Sequence, residues 1–200
     1  MSKGNQKREM ILKAALDFTS QFGLEGLSIG VLAKKVGMSK SGLFGHFKSK
    51  EKLQIMVIDF AAQHFTDKVI RPAIKKDRGL PRLIEMMNCW EAWSERIMKG
   101  GCPIFSAAIE FDDRPGVIRN HIQKKQSLMI ATYEKAIELA VHEGHLTEEA
   151  NPEQIAFELY SNMLGYHMYS RLLKDKKSSE MFKESYTKIL KPFLEQGVIA

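Results

Sequence analysis

The residues best suited to chemistry lie between Ser39 and Lys50, in the run SKSGLFGHFKSK. Leu43 and Phe47 stand four apart, the spacing of one helix face. Turned inward, they leave Lys40, Ser41, Gly42, Phe44 and His46 facing outward. The outward groups are short, basic or flat, able to reach phosphate oxygens and base edges. So short a helix is marginal alone, and its exposed face implies a partner. Double-stranded DNA fits, because such a helix enters the major groove and its first turn reaches the bases.

The flanking sequence is built to hold that helix. Ser28 is a good N-cap, and Ile29, Leu32, Ala33 and Val36 come after it at helical spacing. Ala33 is small where a second helix must cross closely, and Gly37 falls where the turn needs a left-handed backbone. Met38 fills the corner and Ser39 caps the next helix. The result is a helix-turn-helix over 28–47. Before it, Ile11, Ala15, Phe18 and Phe22 mark an amphipathic helix from Lys7 to Phe22. Gly23 ends it, and Leu24 and Leu27 cover the shared core. Lys7 and Arg8 either reach a phosphate or are simply solvated, and residues 1–6 read as disordered.

Charge agrees with this placement. The chain of 200 residues carries a formal net charge of +6. Residues 1–52 hold ten Lys/Arg and four Asp/Glu, giving +6, and the remaining 148 hold twenty of each. All the excess positive charge therefore sits on the helix-turn-helix segment, as attraction to phosphate requires. With 44% hydrophobic residues the chain can bury a sizeable core. No run of about eighteen apolar residues suggests a membrane span, and MSKGNQKREM lacks the apolar stretch of a signal peptide. Two cysteines, Cys89 and Cys102, form no disulfide framework and have no metal-ligand spacing. A reduced, cytoplasmic setting is expected.

The rest of the chain also reads as helical. Ser49 caps a long helix carrying Leu53, Met56, Val57, Phe60 and His64 on one face and ending near Pro72. A helix from Pro81 to about Lys99 offers Leu83, Met87, Trp90 and Ile97 for burial. After Gly100-Gly101-Cys102-Pro103 comes a short apolar segment to Phe111. A long helix through Ile118, Ile122, Met129, Tyr133, Ala136 and Ala140 then ends at Gly144. Asn151-Pro152-Glu153-Gln154 starts a helix to about Leu173 that is apolar nearly all round, which implies burial on two sides. A last helix places Phe182, Tyr186, Ile189 and Phe193 together. The expected fold is all-α with about nine helices: a helix-turn-helix domain over 1–52 and a helical bundle over 53–200.

Other constellations are weak. His142 and His145 are three apart, but Gly144 breaks the helix between them and no third metal ligand stands nearby. Glu110, Asp112 and Asp113 most simply cap the next helix. No nucleophile–base arrangement, paired-carboxylate signature or phosphate-cradling glycine loop is present, so neither a cofactor nor catalysis is expected. An architectural DNA-binding protein without sequence preference and a helical-bundle enzyme are the alternatives to a sequence-specific regulator.

Taken together, ILKAALDFTSQFGLEGLSIGVLAKKVGMSKSGLFGHFKSKEKLQ closely resembles the DNA-binding domain of the TetR family of bacterial transcriptional regulators. The resemblance covers roughly residues 7–55. It implies a homodimer that binds a palindromic operator, usually as a repressor released by a small effector. Dimerisation is implied for the last two helices, about 152–173 and 179–195. DNA contacts are implied for Ser28, Ser39, Lys40, Ser41, Gly42, Phe44, His46 and Lys50, with Lys50 on a phosphate and Ser28 both cap and backbone contact. Family members often carry tyrosine where this chain has Phe44, so a hydroxyl bond to phosphate is missing there. Phe60, Met87, Trp90, Trp93, Phe105, Tyr133, Met163 and His167 line an adaptable apolar effector cavity or form ordinary core.

Overall fold

In the computed structural model, which describes residues 3–198, helices succeed one another in the order the sequence implies. They are α1 (Lys3–Phe22), α2 (Ile29–Val36), α3 (Lys40–Phe47), α4 (Lys50–Phe65), α5 (Arg71–Ile74), α6 (Leu80–Ala92), α7 (Pro103–Phe111), α8 (Val117–His142), α9 (Pro152–Arg171) and α10 (Ser178–Leu190). A π-turn over Thr66–Ile70 joins α4 to α5 in one continuous run. Counted that way, nine helical segments are present among the described residues. The one extended pairing there is an isolated bridge between Leu146 and Leu194.

Two compact units emerge. The first combines residues up to His64 with Arg96–Gln126, and the second combines Phe65–Glu95 with residues from Ser127 onward. In the first, Ile11, Ala15, Leu24, Leu27, Leu32, Leu43, Phe47, Leu53 and Val57 form one buried cluster with Ala107, Phe111, Ile118 and Ile122. The helix-turn-helix thus shares its core with α7 and the start of α8. Gly100 shows how close that packing is: a Cβ there would lie 1.6 Å from the Ser20 carbonyl oxygen. Its N–H donates to Ser20 Oγ at 3.2 Å. On the surface of the same unit, Asp59 of α4 meets Lys125 at 2.7 Å and His121 at 2.9 Å on α8. Partial burial raises the Asp59 carboxyl, but hydrogen bonds from Lys125 and His121 more than reverse this and hold it below its ordinary value.

The second unit is centred on aromatic rings. Trp90 packs edge-on against Tyr166 at 5.7 Å and lies 5.5 Å from Phe182, which meets Tyr186 at 5.5 Å. Phe65 packs edge-on against Trp93 at 5.6 Å, with both buried. Inside this apolar surround sits Glu91, 2% exposed, which accepts a hydrogen bond from Ser179 and meets Lys183 at 3.5 Å. Tyr186 donates to Asn88 Oδ1 at 3.1 Å, so α6 and α10 are held by three polar links. A buried carboxylate is tolerable only with such partners.

Several expectations need correction. α1 starts at Lys3, so residues 3–6 are helical; Met1 and Ser2 lie outside the described residues. Phe22 is exposed, its ring 4.9 Å from Phe18. On α4 the buried seam runs through Leu53, Val57, Ile58, Ala61 and Phe65, with Phe60 and His64 only part-buried. Ile97 is exposed because Trp93–Ile97 is a second π-turn. The wider turn carries Ile97 off the face that holds Trp90, while Trp93 and Ser94 at its start stay on that face and are buried. The first π-turn ends two residues before Pro72, whose ring would crowd an ordinary helical turn and which has no N–H to donate. α9 stops at Arg171 and α10 at Leu190, after which a 3-10 turn carries Phe193.

Candidate nucleic-acid interface

The helix-turn-helix is assembled by local rules. Ser28 Oγ accepts the Val31 N–H at 3.2 Å, capping α2. Gly37 ends α2 with φ +67°, and the Met38 N–H returns to the Ala33 carbonyl at 3.0 Å. Ser39 Oγ accepts the Gly42 N–H at 3.1 Å, capping α3. Leu43 and Phe47, 0% and 1% exposed, pin α3 to the core. Burying two such side chains contributes about 1.5–3 kcal/mol each, more than so short a helix can supply from its own backbone.

With α3 pinned, its outer face is fixed. Ser39, Lys40, Ser41, Gly42 and Phe44 are exposed. Ser28, Ile29, Gly30, Lys40, Ser41 and Phe44 line one shallow depression. The Ser39 and Ser41 hydroxyls are 3.2 Å apart. Ser28 uses its oxygen as a cap acceptor and keeps its O–H to donate outward. His46 is half-buried beside the Phe47 ring at 6.2 Å and does not line the depression. α3 is followed by its C-cap Lys48, a non-glycine residue at φ +65°, which places a further exposed cation between α3 and α4. No spacing rule points to Lys48, since a residue held at positive φ is ordinarily glycine or asparagine.

Lys50 has a different setting. Its ammonium lies 2.7 Å from Glu25 Oε1, with both side chains about half exposed. The hydrogen bond from Lys50 holds the Glu25 carboxyl below its ordinary range despite some opposing burial. Glu25 sits in the α1–α2 turn, which is fastened from elsewhere in the chain. Gln54 Nε2 donates to the Leu24 carbonyl at 2.9 Å. Glu110 of α7 accepts the N–H groups of Leu24 and Glu25, at 2.7 and 3.0 Å. Glu25 and Glu110 carry no sequence signal for these roles, because both partnerships are non-local.

The aromatic and methionine candidates divide between the units. Met87, Trp90, Trp93, Tyr133, Met163 and His167 are buried in the second unit. Phe105, buried, and Phe60, part-buried, belong to the first. Ser94 Oγ, beside Trp93 in sequence, is fully buried without a hydrogen-bond partner. A groove of about 200 Å³ runs along α9 and α10, lined by Gly165, Tyr166, Tyr169, Met181 and Phe182 among others. Both cysteines are free thiols, and burial, with the Glu85 carboxylate beside it, pushes the Cys89 thiol up to about 11. Among the described residues no three His, Cys, Asp or Glu side chains could together hold a metal ion. No helix there is long and apolar enough to cross a membrane.

A pinned, exposed recognition helix in an all-helical chain defines a helix-turn-helix DNA-binding protein, and comparison with known proteins narrows the class. Residues 11–55 match the model for bacterial regulatory proteins of the tetR family. Residues 79–186, more than half of the chain, match the tetracyclin repressor-like C-terminal domain. The chain therefore belongs to the TetR family of transcriptional regulators. It is 28% identical over 176 residues to the HTH-type transcriptional regulator RutR of Escherichia coli O157:H7, covering 80% of this chain and 73% of RutR. Its fold is similar to that of a TetR family regulator from Cytophaga hutchinsonii, with a TM-score of 0.83, 19% identity and 98% of both chains covered. It is also similar to AibR, solved with isovaleryl coenzyme A and operator DNA, with a TM-score of 0.69 and 20% identity over 92% of this chain and 98% of AibR.

Proposed function

We propose that this regulator is a repressor that binds a palindromic operator as a homodimer and is released by a small, largely apolar effector. In this reading residues 1–52 dock on DNA, and 53–200 bind effector and pair the two subunits. The observation that carries it is the α3 face, held rigid by Leu43 and Phe47 while Lys40, Ser41 and Phe44 stay exposed. Ser39, Lys40, Ser41, Gly42, Phe44 and His46 supply the base and phosphate contacts of α3, with Lys50 on a further phosphate and Ser28 on the DNA backbone. Phe44 has no hydroxyl to donate, so it packs on a sugar or a thymine methyl.

The unpartnered apolar side chains of α9 and its exit loop, Phe157, Met168, Tyr169, Leu172 and Leu173, support pairing through α9 and α10. A second copy related by twofold symmetry covers such a self-complementary face. The two α3 helices then lie one turn of DNA apart, ~34–36 Å. An effector among the second-unit aromatics that changes this spacing needs a coupling of only ~1–3 kcal/mol to weaken operator binding about 5–150-fold. AibR, solved with isovaleryl coenzyme A and operator DNA, is a precedent of similar fold.

The test is selection of genomic fragments by the purified protein, followed by anisotropy on the winning duplex and on a scrambled one. The expected result is an inverted repeat bound about a thousandfold or more tighter than scrambled DNA. Equal binding to both would reject the reading in favour of an architectural protein.

A further inference from the structure

The Lys50 ammonium, assigned to a DNA phosphate in the proposed function, is already occupied by a carboxylate of its own chain. Glu25 Oε1 lies at 2.7 Å, the distance a phosphate oxygen would take. The carboxylate is kept within reach of Lys50, because the backbone turn that carries it is fixed by side chains from two other helices. Gln54 of α4, 4% exposed, holds the Leu24 carbonyl, and Glu110 of α7 holds the N–H groups of both Leu24 and Glu25. α7 lies in the stretch Arg96–Gln126, which enters the first unit from the second and returns to it.

We propose that Glu25 is a built-in competitor for DNA phosphate at Lys50, and that Glu110 is the residue that positions it. This rests on the reading of Lys50 as a phosphate contact. DNA binding must exchange one anion for another at this ammonium, so Lys50 contributes less to affinity and counterion release than a free lysine. Because Glu110 lies on α7, a shift of α7 alters how firmly Glu25 guards Lys50. The pair is a tuning device for affinity to all DNA, separate from the sequence choice made by α3.

The experiment needs no operator. Binding of the full chain to a fluorescein-labelled mixed-sequence duplex is followed by anisotropy across a salt series. Lys50→Ala should flatten the slope of log affinity against log salt by up to about 0.9. Glu25→Gln should steepen that slope and raise low-salt affinity by roughly 1.5- to 5-fold, the scale of an exposed ion pair. In the Lys50→Ala background Glu25→Gln should change neither. Glu110→Gln should act in the same direction as Glu25→Gln and add nothing to it.

Each failure has its own meaning. If Lys50→Ala leaves the slope unchanged, Lys50 is not a phosphate contact and the competitor falls with it. If Lys50→Ala behaves as stated but Glu25→Gln gives the same gain without Lys50, the effect is general charge and only the competitor is overturned. If Glu110→Gln adds to Glu25→Gln, its positioning role is overturned. Glu25 is exposed, so its variant keeps the fold and the main arm stays decisive.

Discussion

The α2–α3 corner and the α9–α10 pair both leave distinctive side chains exposed, but they are made differently. The first is a short helix whose inner side is sealed by Leu43 and Phe47 and whose outer side is polar and cationic. The second is a long helix pair, already packed through Tyr166 and Phe182, with Phe157 and Leu172 left 64% and 69% exposed. A polar face on a rigid support suits a charged, water-rich partner such as DNA, where register matters more than buried area. An apolar face such as that of α9 and its exit loop suits another protein surface, where removal of water supplies the affinity. The chemistry of each face therefore points to its partner class.

The contrast can be broken most forcefully at Phe47. Phe47→Ala should cost about 3–5 kcal/mol in urea unfolding and abolish DNA binding, because α3 loses its anchor. A variant that keeps both full stability and DNA binding would mean that α3 does not depend on its core. Next is the double variant Phe157→Glu with Leu172→Glu. It should leave the subunit folded yet shift sedimentation toward the monomer, raising the dimer Kd about a hundredfold, or ~2.7 kcal/mol. An unchanged dimer would move the interface away from α9.

Ser39→Ala is expected to be milder. Loss of the α3 cap should lower stability by ~1 kcal/mol, with a larger proportional loss of DNA binding than of thermal stability. The smallest effect is a slope against pH on the inner side of α9. Burial, assisted by the Arg171 guanidinium, holds the His167 imidazole below its ordinary value of 6.5. The unfolded chain therefore takes up a proton before the folded one does. Stability is complete above pH 6.5, falls as pH drops below it, and levels off beneath the lowered value. Denaturant titrations on either side of pH 6.5 should show this slope in the wild type and its loss in His167→Gln.

Much of the α2–α3 corner, and the starts of α4 and α9, were legible because their determinants are close in sequence. Ser28, Ser39, Ser49 and Asn151 each cap the helix they precede, with acceptor and N–H two or three residues apart. The inward set Leu32, Ala33, Leu43 and Phe47 came from helical spacing. Spacing failed where the helix changed pitch, as at Ile97 at the end of the second π-turn. It also failed at Glu91, since a carboxylate in a helix reads as solvated until Ser179 and Lys183 are brought to it from far along the chain.

What the sequence determined alone was the helix order, the caps, the corner at Gly37 and the confinement of excess positive charge to residues 1–52. These arise from backbone conformation and from periodicity within a few turns. Tertiary structure alone decided that Lys50 faces Glu25, that Glu110 fastens the α1–α2 turn from 86 residues away, and that Phe60 and Trp90 belong to different units. Such pairings depend on which distant surfaces share a core, and that choice is made by the packing of the whole chain rather than by any stretch of it.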